Sequence, residues 1–387
     1  MDNFTYYVPT EIFFGKGMIS KLAPSIETYG NKVLLVYGAG SIKKIGLYDE
    51  ILNQLAECKI YELPGIDPNP RIESVEKGIQ LCRENEIQVV LAVGGGSTID
   101  CAKAICAGVY YKGNPWDYIM DSSLIREALP LITILTLSAT GSEMDATAVI
   151  SNPKLKLKKG FGHRLLYPKV SILDPLYTYS VSKFQTASGV ADIMSHIIET
   201  YFNDKDTALV SNQISISLLK TSIHYGKIVY EDPENYEARA NMMWTSSLAI
   251  NGLNGCGIQK KWSCHAMEHV LSAYYDVTHG AGLAMLTPRW MEYILDGSTA
   301  IKFAAYGRDV WDLQGKNDLS VAKVAIQQTK EFFESLNLPM TFEELGIPKD
   351  APIEEMATSA TASKGGSIHG YRTLSTQDVI NIYRMCM

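Results

Sequence analysis

The sequence predicts an α/β dinucleotide-binding domain with a Rossmann-like parallel sheet, followed by an all-helical domain. Three observations predict it. Apolar runs ending in Gly-rich turns recur through the first 140 residues, helix-compatible stretches separate them, and after about Pro175 long helical segments with few β-branched runs take over. Strands apolar on both faces that alternate with helices build a doubly wound parallel sheet, with ligands at the carboxyl ends of its strands. The expected division is 1–180 for the α/β domain and 181–387 for the helical one. A chain of 387 residues is long enough for two such cores.

Taken in order, Lys32–Tyr37 reads as a buried strand closed by Gly38-Ala39-Gly40. A helix over Tyr48–Glu57 and a strand over Lys59–Leu63, stopped by Pro64 and Gly65, follow. Val75–Asn85 has helical spacing, Ile87–Val93 is a second all-apolar strand, and Gly94-Gly95-Gly96-Ser97 opens a helix through Ala107. Leu131–Leu137 makes a further strand before Thr140-Gly141-Ser142. The lysine-rich stretch Ser151–Tyr167, with Lys154, Lys156, Lys158 and Lys159, reads as an exposed connection. Helices are expected over Val181–Phe202, Ala208–His224, Tyr236–Asn251, Cys264–Tyr275 and Val321–Leu336.

Composition excludes several classes of function. With 46% hydrophobic and 20% charged residues the chain is too apolar for disorder. Lys+Arg 35 against Asp+Glu 42 gives a net charge of -7, which offers no broad cationic surface, so no nucleic-acid partner is expected. The longest apolar run, Leu129–Leu137, is interrupted by Pro130 and two threonines, and the N-terminus lacks a basic, then apolar, leader. Neither a membrane span nor secretion is expected. Seven scattered cysteines without a CxxC pair suggest neither a disulfide framework nor a zinc ribbon and fit a cytoplasmic protein.

Two constellations could carry chemistry. Gly-rich turns between a buried strand and a helix aim backbone N–H groups at whatever lies above them, which favours phosphate. Gly38-Ala39-Gly40-Ser41, Gly94-Gly95-Gly96-Ser97 and Thr140-Gly141-Ser142 are three such turns, so a nucleotide is expected. The standard G-x-G-x-x-G fingerprint is absent, because Lys43 and Ile99 occupy its last position. Lys43 and Lys44 could face a 2′-phosphate, whereas Glu62, 22 residues after Gly40, stands where a ribose-binding acid would lie. The second constellation is metal-like: Asp192 and His196 at i and i+4, His265 and His269 at the same spacing, then His279. One carboxylate with three imidazoles suits Fe²⁺ or Zn²⁺ and leaves a position for a substrate oxygen. Spacing leaves open which three of the four histidines ligate. The cysteines, Cys264 beside His265 included, read as buried apolar residues.

These segments together resemble the iron-containing (group III) alcohol dehydrogenase family, closest to its bacterial NADPH-dependent butanol dehydrogenase and broad aldehyde reductase branch. The resemblance runs from Phe14-Gly15-Lys16-Gly17 to Leu374–Tyr383. It rests on Gly94–Lys103, Thr136–Glu143, Asp174-Pro175, Asp192-x-x-x-His196, His265-x-x-x-His269 and His279–Ala284. It implies metal ligation by Asp192, His196, His265 and His279, with His269 near nicotinamide and substrate as the catalytic residue. It places the pyrophosphate on Gly95-Gly96-Ser97, Asp100 at the nicotinamide end, and Thr136 and Leu137 near the adenine. Lys158, 16 residues before Asp174, is similar to a lysine that reaches the cofactor. Members preferring NAD often carry an aspartate after the first strand. Gly38, Ala39, Gly40 and Ser41 stand there instead, so NADP(H) is expected over NAD(H).

The implied activity is a metal-dependent interconversion of primary alcohols and aldehydes, with Fe²⁺ or Zn²⁺, in a homodimer. The alternatives are a metal-dependent lyase or cyclase related to dehydroquinate synthase that uses NAD⁺ transiently, a diol- or glycerol-type dehydrogenase, and a non-catalytic regulatory protein. Leu253, Asn254, Cys256 and Trp262, close in sequence to the metal histidines, are the candidate lining of an apolar substrate pocket.

Overall fold

A computed structural model describes residues 1–204, 207–362 and 365–387. The first half runs β1 (Glu11–Phe14), α1 (Leu22–Glu27), β2 (Lys32–Tyr37), α2 (Ser41–Lys44), α3 (Leu47–Gln54), β3 (Lys59–Leu63), α4 (Ile72–Asn85) and β4 (Val89–Gly94). It continues through α5 (Gly96–Gly108), α6 (Pro115–Met120), β5 (Leu131–Leu135), β6 (Thr147–Asn152), β7 (Leu157–Gly162) and β8 (Val170–Leu173). Then come the long helices α7 (Lys183–Tyr201), α8 (Leu209–Glu231), α9 (Tyr236–Ile250), α10 (Cys264–Tyr275), α11 (His279–Ile294), α12 (Ala300–Trp311) and α13 (Asp318–Ser335). The chain closes with α14 (Ile353–Ala362), the short strands β9 (Ser367–His369) and β10 (Thr373–Ser375), and α15 (Thr376–Arg384). Two compact units result: 7–182 with 233–251, and 1–6 with 183–232 and 252–387.

The α/β unit is built on a six-stranded sheet in the order β1-β8-β5-β4-β2-β3, every neighbouring pair parallel. The continuous apolar strands are explained by a core on each face. Leu34, Val36, Val90 and Ala92 pack with Val75, Ile79 and Cys82 of α4 and with α5, while Val33, Leu35, Val89 and Leu91 pack with Leu22 and Ile26 of α1 and Leu47 and Ile51 of α3. Successive strand side chains alternate sides, so a strand covered twice needs an apolar residue at every position.

The structure corrects the reading of Ser151–Tyr167 as an exposed connection. Most of it belongs to an antiparallel hairpin, β6 with β7, in register Ala148↔Phe161 and Ile150↔Lys159. One face of the hairpin is buried through Ala148, Ile150 and Phe161. The lysines lie in the turn or on β7, where Lys158 and Lys159 are half-buried. Lys156 makes the turn at φ 50°.

Residues 233–251 return from the second half of the sequence to the α/β unit. Here α9 meets the turn after β5: an added Cβ on Gly141, φ +64°, would lie 2.6 Å from the Ser246 carbonyl, and Ser247 Oγ donates to Glu143 Oε1. Glu143 is fully buried, and burial pushes its carboxyl up from 4.5 to about 7. A value raised in the folded state favours the protonated native form. Its contribution is complete below 4.5 and is lost as pH rises through 7, at most ~3 kcal/mol. Glu143→Gln is therefore expected to flatten the fall in Tm between about pH 5 and about pH 8. A variant whose Tm falls as steeply as the wild type would contradict this.

The helical unit is organised around α7, in which sixteen of nineteen residues are buried. A helix buried nearly all round needs partners on every side, and α11, with twelve buried residues, is one of them. The two approach backbone to backbone. An added Cβ on Gly280 of α11 would lie 1.9 Å from the Ser188 carbonyl oxygen of α7.

Candidate active site

In the α/β unit the chain steps from β2 outward to β3, then back across to β4 on the other side of β2. Strand order reverses at that point, where open parallel sheets hold their ligands. Two of the three turns singled out from the sequence leave these two strands, Gly38–Ser41 after β2 and Gly94–Ser97 after β4. Helix α5 starts at Gly96, and its first intrahelical donors are Thr98 and Ile99, both to the Gly95 carbonyl, so the Gly96 and Ser97 amides precede the ladder. Gly94 and Gly96 leave no room for a side chain, since added Cβ atoms would lie 2.4 Å from Thr98 Oγ1 and 2.2 Å from Thr140 Oγ1. Thr136 donates its N–H to the Gly94 carbonyl, 3.0 Å, and the Leu137 side chain covers Gly95. Gly95, Gly96, Ser97, Thr136 and Leu137 thus form one edge.

Two predicted residues lie elsewhere in this unit. Asp100 is buried, and its carboxylate accepts from Ser142 Oγ at 2.6 Å and from the Val149 N–H at 2.8 Å. Burial pushes it up to about 6 despite Lys103 and Ser142. Lys103, itself fully buried, binds Ser142 Oγ, Asp145 Oδ1 at 2.6 Å and the Thr147 carbonyl, so the network ties the turn after β5 and the hairpin to α5. Lys158 stands on β7 opposite Ser151. At the end of β3, Glu62 accepts from Tyr37 and Tyr48 at 2.6 and 2.7 Å, and Lys43 Nζ lies 4.3 Å from the centre of the Tyr48 ring.

The helical unit gathers the carboxylate and the imidazoles. Asp192 and His196 share a face of α7, His265 and His269 share a face of α10, and His279 opens α11. One ligand atom each from Asp192, His265 and His279 lies within 4.8 Å of the others; Glu268, His269 and His279 form a second such group. Asp192 Oδ1 is 3.8 Å from His265 Nε2, 3.8 Å from His279 Nε2 and 3.4 Å from His196 Nδ1. Donor atoms about 2.1 Å from one ion stand roughly 3–4 Å from each other, so these separations suit a single centre. His269 is further out, its ring centre 6.5 Å from that of His265 and 5.6 Å from that of His279.

Asp192 Oδ1, His196 Nδ1 and His265 Nε2 are buried and have no hydrogen-bond partner among the described residues. Buried polar atoms are costly unless satisfied, and unpartnered atoms at the converging Asp192–His265–His279 group fit a cation, with His196 adjoining through Asp192. Burial lowers His196 to about 4 against the pull of Asp192. Burial also opposes protonation of His265, but Glu199 and Asp192 outweigh it and hold the ring at about 9. Trp262 stands edge-on to both, 5.7 Å from His196 and 4.9 Å from His265. Of the other pocket candidates, Asn254 is fully buried with neither side-chain polar atom partnered among the described residues, and the Cys256 carbonyl accepts from Ser211 Oγ at 2.7 Å.

Two functional candidates escaped the sequence reading, Glu199 and Glu268, which hold the Nδ1 atoms of His265 and His279. A helical signal existed for each. Glu199 lies three residues after His196, and Glu268 three after His265, on the faces that carry the ligands.

The model of the iron-containing alcohol dehydrogenase family matches residues 9–175, and that of the family's C-terminal part matches residues 186–387. The chain belongs to the iron-containing alcohol dehydrogenase family. It is 53% identical over 387 residues to NADH-dependent butanol dehydrogenase A of Clostridium acetobutylicum, covering 99% of each chain. It is 37% identical over 350 residues to the NADPH-dependent aldehyde reductase YqhD of Escherichia coli, covering 90% of each. The crystal structure of NADH-dependent butanol dehydrogenase A from Thermotoga maritima superposes with a TM-score of 0.94 at 36% identity, over 100% of this chain and 99% of that one. As a member of the iron-containing alcohol dehydrogenases the chain is an alcohol/aldehyde oxidoreductase, and membership implies a metal and a nicotinamide cofactor. Among the described residues no helix is long and apolar enough to cross a membrane.

Proposed function

We propose that the chain is a cytoplasmic, homodimeric reductase of short-chain aliphatic aldehydes, working in reverse on primary alcohols of the butanol type, with NADPH preferred over NADH. The observation that carries the reading is the convergence of one ligand atom each from Asp192, His265 and His279 within 4.8 Å, with Asp192 Oδ1 and His265 Nε2 unpartnered among the described residues and His196 beside Asp192. Asp192, His196, His265 and His279 would hold Fe²⁺ or Zn²⁺. When bound, the metal would supply Lewis acidity toward the substrate oxygen and the nicotinamide the hydride.

The protein's own residues then have three tasks. Gly38, Gly40, Ser41, Gly95, Gly96, Ser97, Thr136 and Leu137 bind the coenzyme, with Lys158 reaching it and Asp100 at its nicotinamide end. Trp262, edge-on to two of the histidines, supplies apolar surface for an aliphatic chain. His269 delivers a proton to the nascent alkoxide oxygen. His269→Ala is expected to lower turnover by roughly 100-fold or more with metal content unchanged. Loss of bound metal would make His269 a ligand instead.

Preference for NADPH is supported by the turn after β2, which carries no carboxylate, and by Glu62 being engaged by Tyr37 and Tyr48 beside Lys43. The names of relatives point both ways: the two butanol dehydrogenases are NADH-dependent and the aldehyde reductase NADPH-dependent. The test is absorbance at 340 nm with butanal and either coenzyme, on protein before chelation, after chelation and after return of Fe²⁺ or Zn²⁺. Turnover that vanishes and returns with metal is the expected result. A lyase related to dehydroquinate synthase would bind metal and nucleotide yet consume no coenzyme with any aldehyde. Light scattering giving twice the chain mass of 42.8 kDa would support the dimer.

A further inference from the structure

We infer that Glu199 and Glu268 are positioning residues that fix the tautomers of His265 and His279, so that metal affinity depends on both carboxylates. The inference rests on the metal-site reading above. Glu199 lies on α7, 4% exposed, and is fully loaded with donors. Its Oε1 accepts from the backbone N–H groups of Ser263 and Cys264, the latter at 2.7 Å, and its Oε2 accepts from the N–H of His265 at 3.2 Å and pairs with His265 Nδ1. One carboxylate therefore anchors the start of α10 and the ring that α10 carries. Glu268, fully buried one turn along α10, accepts from Ser272 Oγ with one oxygen and pairs with His279 Nδ1 through the other. Its stem is held in place by Gly282 of α11, where an added Cβ would lie 2.9 Å from Glu268 Cγ.

A neutral imidazole has one donor and one acceptor nitrogen. With Nδ1–H given to a carboxylate, Nε2 must present its lone pair, and both Nε2 atoms lie 3.8 Å from Asp192 Oδ1. The opposite tautomer would turn an N–H toward the ion. The carboxylate also makes each ring a stronger donor, since the hydrogen bond gives it partial imidazolate character. Among the described residues His196 has no such partner, and its Nδ1 lies 3.4 Å from Asp192 Oδ1.

The test uses the full chain carrying Glu199→Gln or Glu268→Gln, which keeps an acceptor oxygen and removes the charge. Metal-free protein is titrated with Co²⁺ against a chromophoric chelator, the Co²⁺ d–d spectrum is recorded, and Tm is measured without metal. Each variant is expected to bind Co²⁺ roughly 10- to 100-fold more weakly with an unchanged number of ligands in its spectrum. Wild-type affinity in both folded variants overturns the inference. So does a drop in Tm with affinity unchanged, which would mark a merely structural role. Asp192→Ala is titrated in parallel: if it binds Co²⁺ as the wild type does, the metal-site reading itself has failed. Should Glu199→Gln not fold, because α10 loses its anchor, Glu268→Gln decides.

Discussion

Asp192→Ala is expected to yield folded protein that retains no divalent metal and whose kcat/KM for aldehyde reduction is at least ~1,000-fold lower, about 4 kcal/mol of transition-state stabilisation. Asp192 is the sole carboxylate in its group of converging ligand atoms, 2% exposed, with Oδ1 facing nitrogens of three histidines at 3.4 to 3.8 Å. Burial alone would push its carboxyl up, yet His196, His265 and His279 together hold it well below the usual range. Among the described residues no other carboxylate joins that group: Glu199 is engaged by His265 Nδ1 and backbone amides, and Glu268 by His279 Nδ1 and Ser272 Oγ. Metal content by plasma emission and turnover at 340 nm are the two measurements. Stoichiometric metal in the variant would remove Asp192 from the ligand set.

The second large effect is expected at a residue that has no side chain. Gly280→Ala would place a methyl 1.9 Å from the Ser188 carbonyl oxygen and 2.6 Å from its carbon, so the backbones of α7 and α11 must separate. Overpacking of this kind costs typically 1–3 kcal/mol and occasionally more. Here it also moves His279, the preceding residue, away from Asp192. A displacement of about 1 Å in a reacting constellation can cost roughly 100-fold in rate, so the variant should lose both metal affinity and Tm. Gly297→Ala, where an added Cβ meets nothing within 4 Å, is the control and should match the wild type in both. Wild-type metal affinity in Gly280→Ala would mean that the helix contact does not set the position of His279.

The contrast between residues found and residues missed has a physical pattern. Lys32–Tyr37 and the strand ending at Gly94 were legible because a strand covered on both faces must be apolar throughout, a property written locally in the chain. The pairs Asp192 with His196 and His265 with His269 were legible because a spacing of four residues puts side chains on one helix face, whereas the choice among the histidines came from the family resemblance. The β6–β7 hairpin was not: β7 has a single buried residue, Phe161, and Lys158, Lys159 and two glycines among its six residues hide the strand pattern. Nor were the partners of Asp100 legible: its carboxylate accepts from Ser142 and the Val149 N–H, 42 and 49 residues away.

By itself the sequence determined the alternation of buried strands and helices, the two Gly-rich turns after β2 and β4, the helical second half and the pairs of ligand-type residues one turn apart. All of these depend on interactions within a few residues. Tertiary structure alone decided that α9 returns to the α/β unit, that α7 and α11 meet at Ser188 and Gly280, and that Glu199 and Glu268 take the Nδ1 atoms of two histidines. Those outcomes depend on which surfaces exclude water together and on which buried polar atoms must find partners, and the groups that satisfy one another lie 11 to 104 residues apart along the chain.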